Sequence, residues 1–175
     1  DSEGLTRLGF GFRQTLARAF TDPLGEDTRR FTANDGGIEW QTDVKQPLLA
    51  KRVLYQGTLL VFQPVFYSKS GDLETVDALL REAWPGRESV AGFWRATDVN
   101  FSNDFSAQIT KHLGVNLSVQ WVYDKFDVAA LVDPALAASA DAAVLAAYAA
   151  QVDKNVRKAG QFREVLALTL SYRLF

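Results

Sequence analysis

At 175 residues, 47% of them apolar, the chain has the composition of one folded domain, which excludes disorder. A net charge of -2, from 19 basic against 21 acidic residues, excludes a polyanion-binding surface and so nucleic acid as a partner. Without cysteine there is no disulfide, thiolate metal site or cysteine nucleophile, and without methionine the sequence is expected to be a mature form or a piece of something longer.

Six stretches alternate apolar and polar residues with the period of two that marks a strand, at roughly 5 to 18, 37 to 46, 51 to 67, 94 to 110, 115 to 126 and 163 to 175. The first puts Leu8, Phe10, Phe12 and Leu16 on one face and Gly9, Gly11 and Arg13 on the other. The second sets Ile38, Trp40 and Val44 against Glu39, Gln41, Asp43 and Lys45. In the third the expected apolar face is Leu54, Leu60, Phe62 and Phe66. Val53, Tyr55, Leu59 and Val61 oppose it, and Pro64 argues against a central place in a ladder.

A helix is predicted at about 72–84, with Leu73, Val76, Leu80 and Ala83 on one face and Pro85-Gly86 as its stop. The fourth strand then carries Val99, Phe101, Phe105, Ala107 and Ile109 opposite a polar row of Asp98, Asn100, Ser102, Asp104, Ser106 and Gln108. The fifth carries Val115, Leu117, Val119, Trp121 and Tyr123 opposite Asn116, Ser118, Gln120 and Asp124. A second helix is expected over about 134–158. Asp133 is its N-cap, Pro134 lies in its first turn, and Leu136, Ala140, Val144, Tyr148 and Val152 form its stripe. The last strand alternates Leu166, Leu168, Leu170, Tyr172 and Leu174 with Thr169, Ser171 and Arg173.

No stretch qualifies as a membrane-spanning helix, because the longest apolar region is interrupted by Asp133, Pro134 and Asp141. The connections nevertheless alternate strictly between long (19 to 36, 68 to 93, 127 to 162) and short (47 to 50, 111 to 114). Membrane barrels show this pattern, with tight turns on the periplasmic side and extended loops outside. The expected fold is therefore all-β: an antiparallel up-and-down transmembrane β-barrel, or the C-terminal part of one, with helices in long extracellular loops. The whole of 1–175 reads as a single barrel domain. Closed membrane barrels have at least about eight strands, so against the six counted here two strands are merged or missed, N-terminal strands lie outside the chain, or several chains complete one barrel; missing N-terminal strands are the favoured expectation.

Residues 98 to 127, DVNFSNDFSAQITKHLGVNLSVQWVYDKFD, followed by 161 to 175, QFREVLALTLSYRLF, resemble the end of an uncharacterised family of Bacteroidota outer-membrane proteins. The stretch TRLGFGFRQTLARAFTDP, 6 to 23, is similar to that family's more N-terminal strand. The resemblance implies a Gram-negative outer-membrane location and a porin-like barrel of unknown function. Three departures stand out. Leu174 rather than Phe175 keeps phase with Tyr172, the alanine-rich helix looks like an insertion in a usually short loop, and family members are longer at the N-terminus.

Under this reading Glu39, Gln41, Asp43, Asp98, Asn100, Asp104, Asn116, Gln120 and Arg173 face a polar lumen. Trp40, Trp94, Trp121, Tyr123 and Tyr172 are interfacial aromatics. Leu168, Leu170, Tyr172 and Phe175 form the end read by the barrel-assembly machinery. The single histidine, His112, lies in a short turn and is read as a solvated residue, so no catalytic, cofactor or metal site is expected and the chain is not expected to be an enzyme. The carboxylates are spaced as a polar wall spaces them. Expected partners are outer-membrane lipid, the assembly machinery and other subunits met through the long loops. The expected role is structural, small-pore or docking. The alternatives are a soluble lipocalin-like barrel with an apolar ligand and, more distantly, a lipid-acting enzyme, which would need a serine or carboxylate pair beside His112.

Overall fold

A computed structural model describes residues 2–18, 30–110, 112–124, 126, 132–155 and 161–170. Six strands form one antiparallel sheet in sequence order: β1 (Glu3–Arg18), β2 (Arg30–Leu48), β3 (Val53–Tyr67), β4 (Asp98–Gln108), β5 (Leu113–Tyr123) and β6 (Gln161–Leu170). Each strand pairs with the one before it, so the sheet is an up-and-down meander. Among the described residues β1 and β6 are its two unpaired edges, and the sheet is open.

Both tight connections, at 49–52 and 109–112, lie at one end of the sheet, and the three long ones lie at the other. We refer to these as the turn end and the loop end. The first tight turn is strained: Leu49, Ala50 and Lys51 all have left-handed backbones, with φ of 48°, 56° and 69°. The second is held by Thr110, whose Oγ1 accepts from the backbone N–H groups of His112 (3.2 Å) and Leu113 (3.0 Å).

Two prolines sit where the ladder tolerates them. Pro47 pairs only with Leu54 of β3, because pairing with β1 stops at Lys45. Pro64 marks a bulge in β3, where Gly37 pairs with Pro64 but Gly36 pairs with Phe66, leaving Val65 as the extra residue. Gly37 is required there, since a Cβ would collide with the Gln63 carbonyl. The register corrects the expected face of the third strand. It places Val53, Tyr55, Leu59 and Val61 level with Ala107, Phe105, Phe101 and Val99 of β4, and Leu54, Leu60 and Phe62 level with Ser106, Asn100 and Asp98. Phe66 alone of the predicted set joins the apolar side, because the extra residue shifts its phase; its ring lies 6.0 Å from that of Phe12.

Apart from Ala33 of β2 and Tyr67 of β3, the buried apolar cluster lies outside the sheet. It lies at the loop end, where α1 (Ser70–Ala83), a 3-10 turn at Phe93–Arg95, α2 (Pro134–Ala137) and α3 (Ala142–Asn155) pack together. The stripe of α1 is as expected for Leu73, Val76 and Leu80, whereas Ala83 is exposed. Trp94, expected on a strand, belongs to the 3-10 turn. The long predicted helix is two helices: Asp133 caps α2 by accepting from Ala135 N–H (2.9 Å), and Asp141 caps α3 by accepting from Ala143 N–H (2.8 Å). Ala140 lies exposed in the break, while Tyr148 and Val152 are buried. Burial pushes the Tyr148 phenol up to about 12, and its oxygen accepts from Asp133 N–H (2.8 Å), tying the two helices together.

Buried Asp77 of α1 closes the lobe by accepting from Val90 N–H (2.9 Å) and from the Ser89 hydroxyl (2.8 Å). Asp77→Ala orphans the Val90 N–H and should cost the lobe about 1–3 kcal/mol. Faster proteolysis of 84–92, with no change at the 109–112 turn, is the expected result. The strained turn gives a prediction of opposite sign. Ala50→Gly relieves a left-handed residue and should raise stability by about 1 kcal/mol in urea unfolding.

Candidate functional site

Register alone separates the two faces of the sheet. On one face lie Glu39, Gln41 and Asp43 of β2, Asp98, Asn100 and Asp104 of β4, and Asn116 and Gln120 of β5. These are eight of the nine residues expected on a polar wall. Arg173 lies outside the described residues.

Near the turn end, Asp43 collects three donors. Arg7 Nη2 (2.8 Å), Thr58 Oγ1 (2.9 Å) and Gln41 Nε2 (2.9 Å) converge on its carboxylate across β1, β2 and β3. Nearer the loop end, Arg13 stands opposite Asp35 in register and donates to Asp35 Oδ2 through Nε (2.9 Å) and Nη2 (2.5 Å). The same guanidinium reaches Asp98 Oδ2 at 3.3 Å and lies 4.1 Å over the ring of Phe62. One arginine thus ties β1, β2, β3 and β4 on the polar face. Further along, Gln120 Nε2 donates to Asn100 Oδ1 (3.0 Å), joining β5 to β4.

The opposite face is apolar and uncovered. Leu8 is 76% exposed, Phe10 63%, Trp40 46% and Trp121 42%, with Ile38, Phe101 and Phe162 also exposed. Tyr123 shares this face, level with Val99. Trp40, Trp121 and Tyr123, expected as interfacial aromatics, therefore share one face. Trp94 does not: it is 8% exposed, buried in the loop-end lobe with its ring 6.2 Å from Tyr67. Residues 68–97 provide a helix and a 3-10 turn before β4 starts, so the alternation read from position 94 begins too early. Tyr172 and Phe175 fall outside the described residues; Leu168 and Leu170 occupy β6 positions paired with Val115 and Leu113.

The lobe sits on the polar side. Tyr67 and Ala33, which belong to its core, lie on the same face as Asp35, because Tyr67 pairs with Asp35 and Ala33 is two residues away. Tyr67 meets Phe126 edge-on at 5.3 Å. The helices are therefore seated over the loop end of the polar face. His112 lies exposed in the second tight turn, at the opposite end from this lobe.

Sequence reasoning missed Asp35, Arg7, Thr58 and Phe62 as members of the polar face. Asp35 precedes the predicted strand start, and Phe62 was placed on the wrong side. Their contacts are cross-strand, so only the register exposes them. Arg13→Ala leaves the Asp35 carboxylate, 1% exposed, without its charged donor. We expect a loss of about 1–3 kcal/mol on urea unfolding, against under about 1 kcal/mol for Arg7→Ala, whose pair with Asp43 is solvated.

No protein-family model matches the chain, and no curated protein or solved structure matches it significantly.

Proposed function

We propose that the chain builds the wall of a bacterial outer-membrane β-barrel, with its apolar face in lipid, its polar face lining the interior and the helical lobe capping that interior outside the cell. The observation that carries this reading is the placement of apolar side chains. Large residues from all six strands share one uncovered sheet face, while the opposite face is hydrogen-bonded and largely polar and the buried core lies at one end. In water such a face would be an aggregation surface, and in a bilayer it is the expected exterior.

Strand length agrees. The 11 residues of β4 or β5 extend about 36 Å, and at a tilt of about 40° they rise about 28 Å, close to the hydrocarbon thickness of about 30 Å. The segregation of short turns from long loops supports the same orientation, turn end in the periplasm. A lipocalin-like binder would hold its apolar residues inside. Here the lobe's core includes Tyr67 and Ala33 of the polar face instead, which supports reading that face as the inner one. The proposed role is structural, with the lobe as a docking platform, because helices seated over the polar face obstruct a solute path. No catalytic step is assigned to it.

The test uses the four tryptophans, Trp40, Trp84, Trp94 and Trp121, in single-tryptophan variants reconstituted with lipids brominated on the acyl chain. Trp40 should be quenched strongly, and Trp84 and Trp94 of the lobe should not. If Trp40 is quenched no more than Trp94, or if the protein is monodisperse without detergent, the membrane reading is lost.

A further inference from the structure

The apolar face is not uniformly apolar. One row of register partners runs across all six strands as Gly4, Val44, Gly57, Asn103, Val119 and Glu164. Asn103 is the central residue of β4, so this row crosses the middle of the face. The next row toward the loop end carries Leu59, Phe101, Trp121 and Phe162, and the next toward the turn end Tyr55, Phe105 and Leu117. An amide and a carboxyl group thus lie between two aromatic rows.

Part of this polarity is satisfied within the chain. The Tyr55 ring lies across Gly57, where a Cβ would collide with its hydroxyl, and that hydroxyl donates to Asn103 Oδ1 at 2.8 Å. The rest is not. Among the described residues neither the Asn103 amide nitrogen nor the Glu164 carboxyl group has a hydrogen-bond partner. At bilayer mid-depth such groups are costly, and polar residues held there face a partner or a cavity.

Resting on the membrane reading above, we propose that this face is the interface between two copies of the chain within the bilayer, with Asn103 and Glu164 at its polar centre. A second copy is the occupant that fits, because the unsatisfied groups are complementary to each other. Asn103 has donors to spare and Glu164 has acceptors. They sit two strands apart on one face, about 10 Å, too far to meet within one chain. A two-fold axis between them lets each Asn103 donate to the partner's Glu164, so that the exchange occurs twice.

The chain has no cysteine, so disulfide mapping is clean. Full-length Val119→Cys, midway between Asn103 and Glu164, should form a disulfide-linked dimer on mild oxidation in phospholipid vesicles. Phe10→Cys, on the same face but at the β1 side, should not. Adding Asn103→Leu and Glu164→Leu should slow the Val119 cross-link about tenfold, the loss of about 1.4 kcal/mol of association, while Glu164→Gln, which keeps an acceptor, should largely retain it. Equal cross-linking at Val119 and Phe10, or an unchanged rate in the double leucine variant, overturns the dimer. Mixing with brominated lipid separates the two readings. If Trp40 is quenched and Val119 does not cross-link, the face meets only lipid and the interface proposal fails alone. If Trp40 is not quenched, the membrane reading has failed first.

Discussion

A single alternation phase, kept in register across five ladders, governs everything else in this sheet. Because side chains alternate with a period of two, a slip of one residue in any ladder would carry a whole strand's apolar set to the polar side. The register resists that slip with devices specific to position. Arg13 must face Asp35 to satisfy a buried carboxylate, Gly37 must meet Gln63 where no side chain fits, and Gly57 must lie under the Tyr55 ring. The single irregularity, the bulge at Val65, falls beyond the ladder shared with β4, so it re-aims Phe66 without disturbing the pairing of Phe62 with Asp98.

With its apolar side chains spent on an uncovered face, the sheet has no apolar core of its own. Its cohesion comes from backbone ladders and from the polar clusters around Asp43 and Arg13. Such clusters would contribute little on a solvated surface, where ion pairs are worth about 0–1 kcal/mol. Enclosed by a wall they would be worth more, since the polar groups have fewer waters to return to. The apolar core is displaced to the loop end, where β3 continues from Phe62 to Tyr67 past the start of β4. That overhang supplies the lobe with its seat.

Much of this was legible in the sequence, and the limits have physical causes. Alternation is local, so the faces of β1, β2, β4 and β5 could be read directly, along with the six strands and the placement of the short turns. β3 could not be read that way, because Leu54, Leu60 and Phe62 supply apolar residues to a polar face and a bulge then reverses the phase. Helical periodicity found α1 but ran through the break at Ala138–Asp141, since alanine continues a helix as readily as it flanks a cap. Trp94 was misplaced because an aromatic ahead of an alternating run fits either a strand or the turn that precedes it. The polar clusters were invisible for a different reason. Arg13 with Asp35, or Tyr55 with Asn103, are neighbours only through pairing, and a chain read residue by residue contains no pairing.

The lobe also bears on what the proposed barrel could do. Leu73, Val76 and Leu80 of α1, each at most 2% exposed, share one cluster with α2, α3 and the sheet residues Ala33 and Tyr67. At about 1.5–3 kcal/mol for each buried aliphatic side chain, these three contribute about 5 kcal/mol or more to the lobe's own packing. In such a barrel, ordered apolar packing at the loop end would make a poor conduit and a rigid platform. The surface of the lobe, carried on helices capped by Asp133 and Asp141 and clamped by Asp77, is built to hold its shape against whatever meets it.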